Sequence, residues 1–160
     1  MRSIITAAAV IVAVIVSGGC SSGTAVKTVN NIQVEGDCTA ADVAFFDSFY
    51  TAMIQAVRTE DVDKSLSFYA DGFKGLTDES MAGLRKNVAV LYANYRELVY
   101  SPDSIRLTAR GSEAVTTDQY SYNAVPEDSR KFKPLNYSGR ERIYWKKEDG
   151  AWKIMDWIYY

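Results

Sequence analysis

No histidine occurs in the 160 residues. That absence removes the Ser–His–Asp triad, the Cys–His pair and any histidine-built zinc or iron site. Acid–base chemistry must come from carboxylates, tyrosines, lysines or a thiol. Asp156 stands out among the carboxylates. On an alternating strand it shares a face with Trp152, Ile154 and Ile158. A carboxylate in so apolar a setting is the weak catalytic candidate of the chain, as a general base. Arg140 or Arg142 on the preceding run would instead pair with it. The hairpin loop between the two runs decides which residue lies opposite Asp156: Arg142 with a three-residue loop, Ile143 with a two-residue loop.

The tyrosines are the second candidate set. There are eleven, and each joins a large apolar body to one hydrogen-bonding tip. That pairing suits a pocket for a small apolar ligand carrying an oxygen, and equally suits a core or a strand surface. Tyr50, Tyr69, Tyr92, Tyr95, Tyr120, Tyr122 and Tyr144 are the ones placed to line a cavity. Tyr50, Tyr92 and Tyr120, with Arg142, Trp152 and Asp156, form the candidate ligand-binding set. No cofactor or metal is implied.

Three amphipathic helices followed by strands must position these residues. Thr39 with Asp42 reads as a capping box, opening a helix to Thr59 with Val43, Phe46, Tyr50, Met53 and Val57 on one stripe. Phe45, Phe49, Ala52 and Ala56 widen that stripe, so the helix is largely buried. Glu60-Asp61 opens a shorter helix, with Val62, Leu66 and Tyr69 inward. Phe73 to Leu76 reads as a brief strand. Thr77 or Asp78 caps a third helix, whose buried stripe is Met81, Leu84, Val88, Leu91, Tyr92 and Tyr95. From Arg96 the period becomes two. Strands run to Arg110, from about Val115 to Tyr122, from about Leu135 to Lys147, and from Ala151 to Tyr160. Asp149-Gly150 is the hairpin turn before the last. Helices first and a meander last argue for an α+β fold with one curved antiparallel sheet. Trp145 and Trp152 are expected in the core. Trp157, Tyr159 and Tyr160 are expected on the outer sheet face, as an aromatic contact patch.

The amino terminus speaks to location. Arg2 precedes an apolar run, Ile4 to Val16, too short to span a bilayer. Ser17-Gly18-Gly19-Cys20 follows. This resembles a bacterial lipoprotein signal, with Ser17 where an aliphatic residue is usual. The resemblance implies removal of residues 1–19 and a lipid on Cys20. Residues 20–38 then form a polar tether, with Ile32 and Val34 as a potential short strand, and residues 39–160 form the domain. The expected place is the cell envelope, lipid-anchored in the membrane-facing periplasm or at the cell surface. Cys38 is left without an intramolecular partner. It is a small buried hydrophobe, a free thiol or an intermolecular bridge. The net charge of −2 becomes one unit more negative once Arg2 is gone, which is unsuited to nucleic acid. Arg130 to Lys153 is locally basic and reads as a solvated sheet face.

The order of elements resembles the nuclear transport factor two-like superfamily, which includes the SnoaL-like cyclases and ketosteroid isomerases. The residues that carry the likeness are the long helix from Thr39, the short helix ending Phe68-Tyr69-Ala70-Asp71-Gly72-Phe73, and the terminal run Lys147-Glu148-Asp149-Gly150-Ala151-Trp152-Lys153-Ile154. The resemblance implies three N-terminal helices packed in the concave face of a cone-shaped antiparallel sheet. A pocket would open at the wide end, and a homodimer would form through the sheet. Enzymes of the group use Asp–His, Asp–Tyr or Asp–Arg–Asp sets. The first is excluded here, and no sharp motif marks the others. The reading is therefore a non-catalytic envelope module whose pocket binds a small apolar ligand, or whose sheet binds a protein partner. Its alternatives are a cofactor-free isomerase, cyclase or dehydratase using Asp156, and a homodimeric assembly module.

Overall fold

The computed structural model describes residues 27–29, 32–73, 75 and 80–160. The signal segment and Cys20 lie outside them. Helix α1 (Ala40–Arg58) starts at the expected capping box. The Thr39 hydroxyl accepts from the Asp42 amide at 3.1 Å, and the Asp42 carboxylate accepts from the Thr39 amide at 3.1 Å. Its buried residues include Val43, Phe46, Phe49, Tyr50, Met53, Ala56 and Val57. Helix α2 (Val62–Leu66) is capped by Asp61, and α3 (Met81–Asn94) by Ser80. The caps expected at Thr77 or Asp78 fall outside the described residues. So does most of the expected strand after Phe73, and Phe73 itself is buried coil. In α3 only Tyr92 is buried; Leu84, Val88 and Leu91 are half-buried. Its stripe covers a hollow, where apolar contact is partial.

Six strands form one sheet in sequence order: β1 (Lys27–Val29), β2 (Ile32–Gly36), β3 (Tyr95–Arg110), β4 (Glu113–Pro126), β5 (Leu135–Glu148) and β6 (Ala151–Tyr159). Neighbours are antiparallel except β2 with β3, which run parallel, so the sheet is mixed where a wholly antiparallel one was expected. The strand foreshadowed at Ile32 and Val34 is integral: both side chains are buried in the core, at 1% and 5% exposure. The folded unit therefore reaches into the stretch read as tether. Gly36 makes this docking feasible. It sits at φ +85°, and a Cβ there would lie 2.4 Å from the Ala109 carbonyl oxygen. Strand β3 breaks register twice, near Glu97 and Ser104, both at positive φ. Such bulges bend a strand and curl its sheet. The curled sheet faces α1, and Trp145 packs edge-on against Phe46 and Phe49 at 5.1 and 4.6 Å between ring centroids.

The Asp149-Gly150 hairpin has a two-residue loop, closed by Glu148 opposite Ala151. Its φ values of +49° and +82° are what the twist of a two-residue loop demands. Neither expected partner of Asp156 is found. A second irregularity intervenes: Trp145 pairs with Ile154, but Tyr144 pairs with Asp156, leaving Met155 unpaired. One extra residue reverses the alternation. Trp152 and Ile154 point inward before the bulge, and Trp157 after it. Asp156 is thereby turned away from the face it was expected to share. Trp157 moves from the expected outer face into the interior.

Candidate functional site

The inward alternation of β4 carries Ala114, Thr116, Asp118, Tyr120 and Tyr122, and that of β5 carries Glu141, Ile143 and Trp145. Register places Asp118 directly opposite Glu141. Two carboxyls therefore meet inside the sheet, at 4% and 0% exposure. Helix α1 delivers Tyr50, whose hydroxyl donates to Asp118 Oδ2 at 2.7 Å. Strand β3 delivers Tyr100, whose hydroxyl donates to Glu141 Oε1. The bulged β6 delivers Trp157, whose Nε1 donates to Glu141 Oε2 at 3.0 Å. Among the described residues no lysine or arginine forms an ion pair with either carboxyl.

Burial without a cation has a direct consequence. Desolvation pushes Glu141 up to about 8, the Asp118 charge adds to the push, and the Tyr100 and Trp157 bonds only partly oppose it. Burial also raises Asp118, against the donors Tyr50 and Glu141. Glu141, the more deeply buried of the two, is the one pushed further above its ordinary value. With both groups ionised, Asp118 Oδ1 is a buried oxygen with no donor; a proton on Glu141 supplies one. The pair titrates as a unit. Tyr50 and Tyr100 are raised well above the ordinary phenol value by burial and by these acids, and stay neutral donors.

Glu141 forms part of the wall of a cavity of about 250 Å³ between the sheet and the helices. Its helical side is Met53, Val57, Ser65, Val88, Leu91 and Tyr92, with Tyr92 and Ser65 hydroxyls 2.8 Å apart. Its sheet side is aromatic: Tyr100, Tyr120, Tyr122, Tyr137, Trp157 and Tyr159. Tyr69 stacks on Trp157 at 5.9 Å. Gly139 leaves room for Tyr120, because a Cβ there would come within 3.3 Å of that ring. The Tyr122 hydroxyl is buried with no partner among the described residues.

The sequence candidates divide. Tyr92 and Tyr120 line the cavity, and Tyr50 stands behind it as the anchor of Asp118. Trp152 lies in the core, its Nε1 donating 2.8 Å to Asp42. Arg142 is exposed on the outer face, 5.6 Å from the Tyr160 ring centroid. Asp156 receives its own neighbour's amide, Trp157 N at 2.8 Å, and is not part of the cavity wall. Arg106 and Arg140 are exposed on that outer face too, so the expected aromatic patch is reduced there to Tyr160. Tyr95 and Tyr144 are not in the cavity wall either. Asp118 and Glu141 were missed. The signal was available: both sit in phase with the apolar residues of their strands, where a charged side chain is out of place. Among the described residues no group of three acids or cysteines gathers to hold a metal. Cys38 is half-buried, with no disulfide partner among the described residues, and its thiol is raised by burial and by Asp42.

No protein-family model and no curated protein matches the chain. Solved structures do. A nuclear transport factor two-like superfamily protein from Salmonella enterica is 14% identical, with a TM-score of 0.63 over 76% of this chain and 92% of that one. A protein from Novosphingobium aromaticivorans, proposed to be an aromatic ring hydroxylase, is 17% identical, with a TM-score of 0.67 over 77% and 90%. A proposed dehydratase of the nuclear transport factor two-like family from Streptomyces avermitilis is 13% identical, with a TM-score of 0.61 over 74% and 95%. At such identity the likeness establishes the fold: helices against a curved sheet, of the nuclear transport factor two-like kind.

Proposed function

We propose that this domain is a small-molecule binding module, held at a membrane of the cell envelope through a lipid on Cys20. The observation that carries the binding reading is the aromatic-walled cavity with a buried acid, Glu141, in its wall. A largely apolar wall with few polar groups is the usual make-up of a ligand site. At about 250 Å³ the space suits a compact ligand, near the lower end of the roughly 300–1,000 Å³ common for such sites. Binding of phenol-sized neutral fragments, followed by NMR on the full-length chain, tests it. Shifts should centre on Tyr120, Tyr122 and Trp157, and Leu91→Trp should abolish them by filling the space. Absence of any fragment binding would end the reading. The anchor is tested separately: labelled fatty acid should enter the wild type and not Cys20→Ala.

A second reading is favoured by the same pair. A neutral Glu141 beside an ionised Asp118 is an acid next to a base, the arrangement cofactor-free proton transfer needs. These two residues now carry the enzymatic alternative in place of Asp156. Proton–deuterium exchange beside the carbonyl of a small cyclic ketone, lost in Glu141→Gln, would support it.

A further inference from the structure

We infer that the occupant of the cavity is a small organic cation, of the alkylated-ammonium class, held by aromatic faces and by the Asp118–Glu141 pair. The inference rests on the cavity being a ligand site and adds the charge of the ligand.

Three observations lead there. First, the pair has no counter-ion among the described residues, although its Glu141 lies at the wall of a space large enough to admit one. A buried charge is ordinarily matched, and Asp42 in this same protein is matched by Lys147. Second, the charged groups that act on the cavity tyrosines are acids. Glu60 and Asp61 act on Tyr92, Glu60 on Tyr122, and Asp118 and Glu141 on Tyr100 and Tyr120. The helical end and the sheet end of the hollow thus both bias it toward positive charge. Third, the sheet side of the wall is aromatic, and aromatic rings attract a cation through their quadrupole. The Tyr122 hydroxyl, on a side chain 8% exposed, has no protein partner and its oxygen is free to face positive charge.

The donors already on Glu141 refine the class. Both its oxygens accept bonds, from Tyr100 and Trp157. A ligand that donated several hydrogen bonds to this carboxyl would have to share its oxygens with these donors. A quaternary ammonium needs none, since it is held by the field and by the rings.

The test uses choline and the uncharged alcohol in which carbon replaces its nitrogen, titrated calorimetrically into the full-length chain at neutral pH. The cation should bind at least tenfold more tightly than its uncharged twin. Asp118→Asn/Glu141→Gln should remove that preference. Each single variant, as a safeguard against misfolding of the double, should lose part of it. Equal affinity for the two probes, or a preference that survives the double variant, would overturn the inference. If only neutral aromatic fragments bind, the cation is rejected and the ligand site stands. If nothing binds, both fall.

Discussion

Asp42 and Glu141 are two buried carboxylates with the same two kinds of neutral donor and opposite fates. Each accepts an indole N–H, Asp42 from Trp152 at 2.8 Å and Glu141 from Trp157 at 3.0 Å. Each accepts a hydroxyl as well, from Thr39 at 2.7 Å and from Tyr100. Burial works to raise both. At Asp42 the bonds from Lys147, Thr39 and Trp152 overcome it and hold the carboxyl well below the usual range. At Glu141 the neighbour is another acid, and the carboxyl rises. Neutral donors are therefore not enough to keep a buried carboxylate charged in this fold; the cation decides. The first site closes a helix end onto a strand. The second leaves an electrostatic demand unmet at the wall of a cavity.

The sharpest way to break the contrast is Asp42→Ala. It removes the carboxylate half of the capping box and leaves the Lys147 ammonium and the Trp152 N–H without their acceptor, at a cost of about 2–4 kcal/mol in urea unfolding. Lys147→Met makes Asp42 resemble Glu141 by taking away only the cation. Its cost is about 1–3 kcal/mol at neutral pH, because the lysine side chain is 35% exposed. The pH dependence identifies the cause. A carboxyl depressed by folding stabilises above its unfolded value, 3.8 for Asp42, and that contribution fades as pH falls through the folded value. The wild type should thus lose its advantage over Lys147→Met in acid.

Tyr100→Phe tests the other side. Removing one donor from Glu141 should cost about 1–2 kcal/mol by the same unfolding assay, with the loss greater above pH 8, where the carboxylate is charged. Glu141→Gln should cost less than about 1 kcal/mol at pH 5, since the acid is neutral there already. A group raised by folding stabilises below its unfolded value, 4.5 for glutamate, and loses that contribution as pH climbs through about 8. The variant should therefore match the wild type in weak acid and exceed it in mild alkali. Opposite slopes for Lys147→Met and Glu141→Gln would fix the contrast; parallel slopes would break it.

Much of this frame could be read along the chain. The capping box at Thr39, the stripe of α1 and the Asp149-Gly150 turn are local signals, set by residues a few positions apart. What could not be read was set by register between distant strands. Asp118 meets Glu141 only because β4 and β5 align them, and no spacing rule joins positions so far apart. The parallel docking of β2 depends on a glycine beside Ala109. The orientation of Asp156 depends on one unpaired residue, Met155, whose effect no propensity scale registers.

That single methionine gives pairing more authority than composition over the carboxyl end. Were it to take a paired place in the ladder like its neighbours, the residues beyond would trade sides as a block. Asp156 and Ile158 would fall into phase with the interior, while Trp157 and Tyr159 would be cast toward solvent. A chain of this architecture without that residue would keep the same side chains inward, so the bulge lets the strand carry one letter more while its lining stays in place.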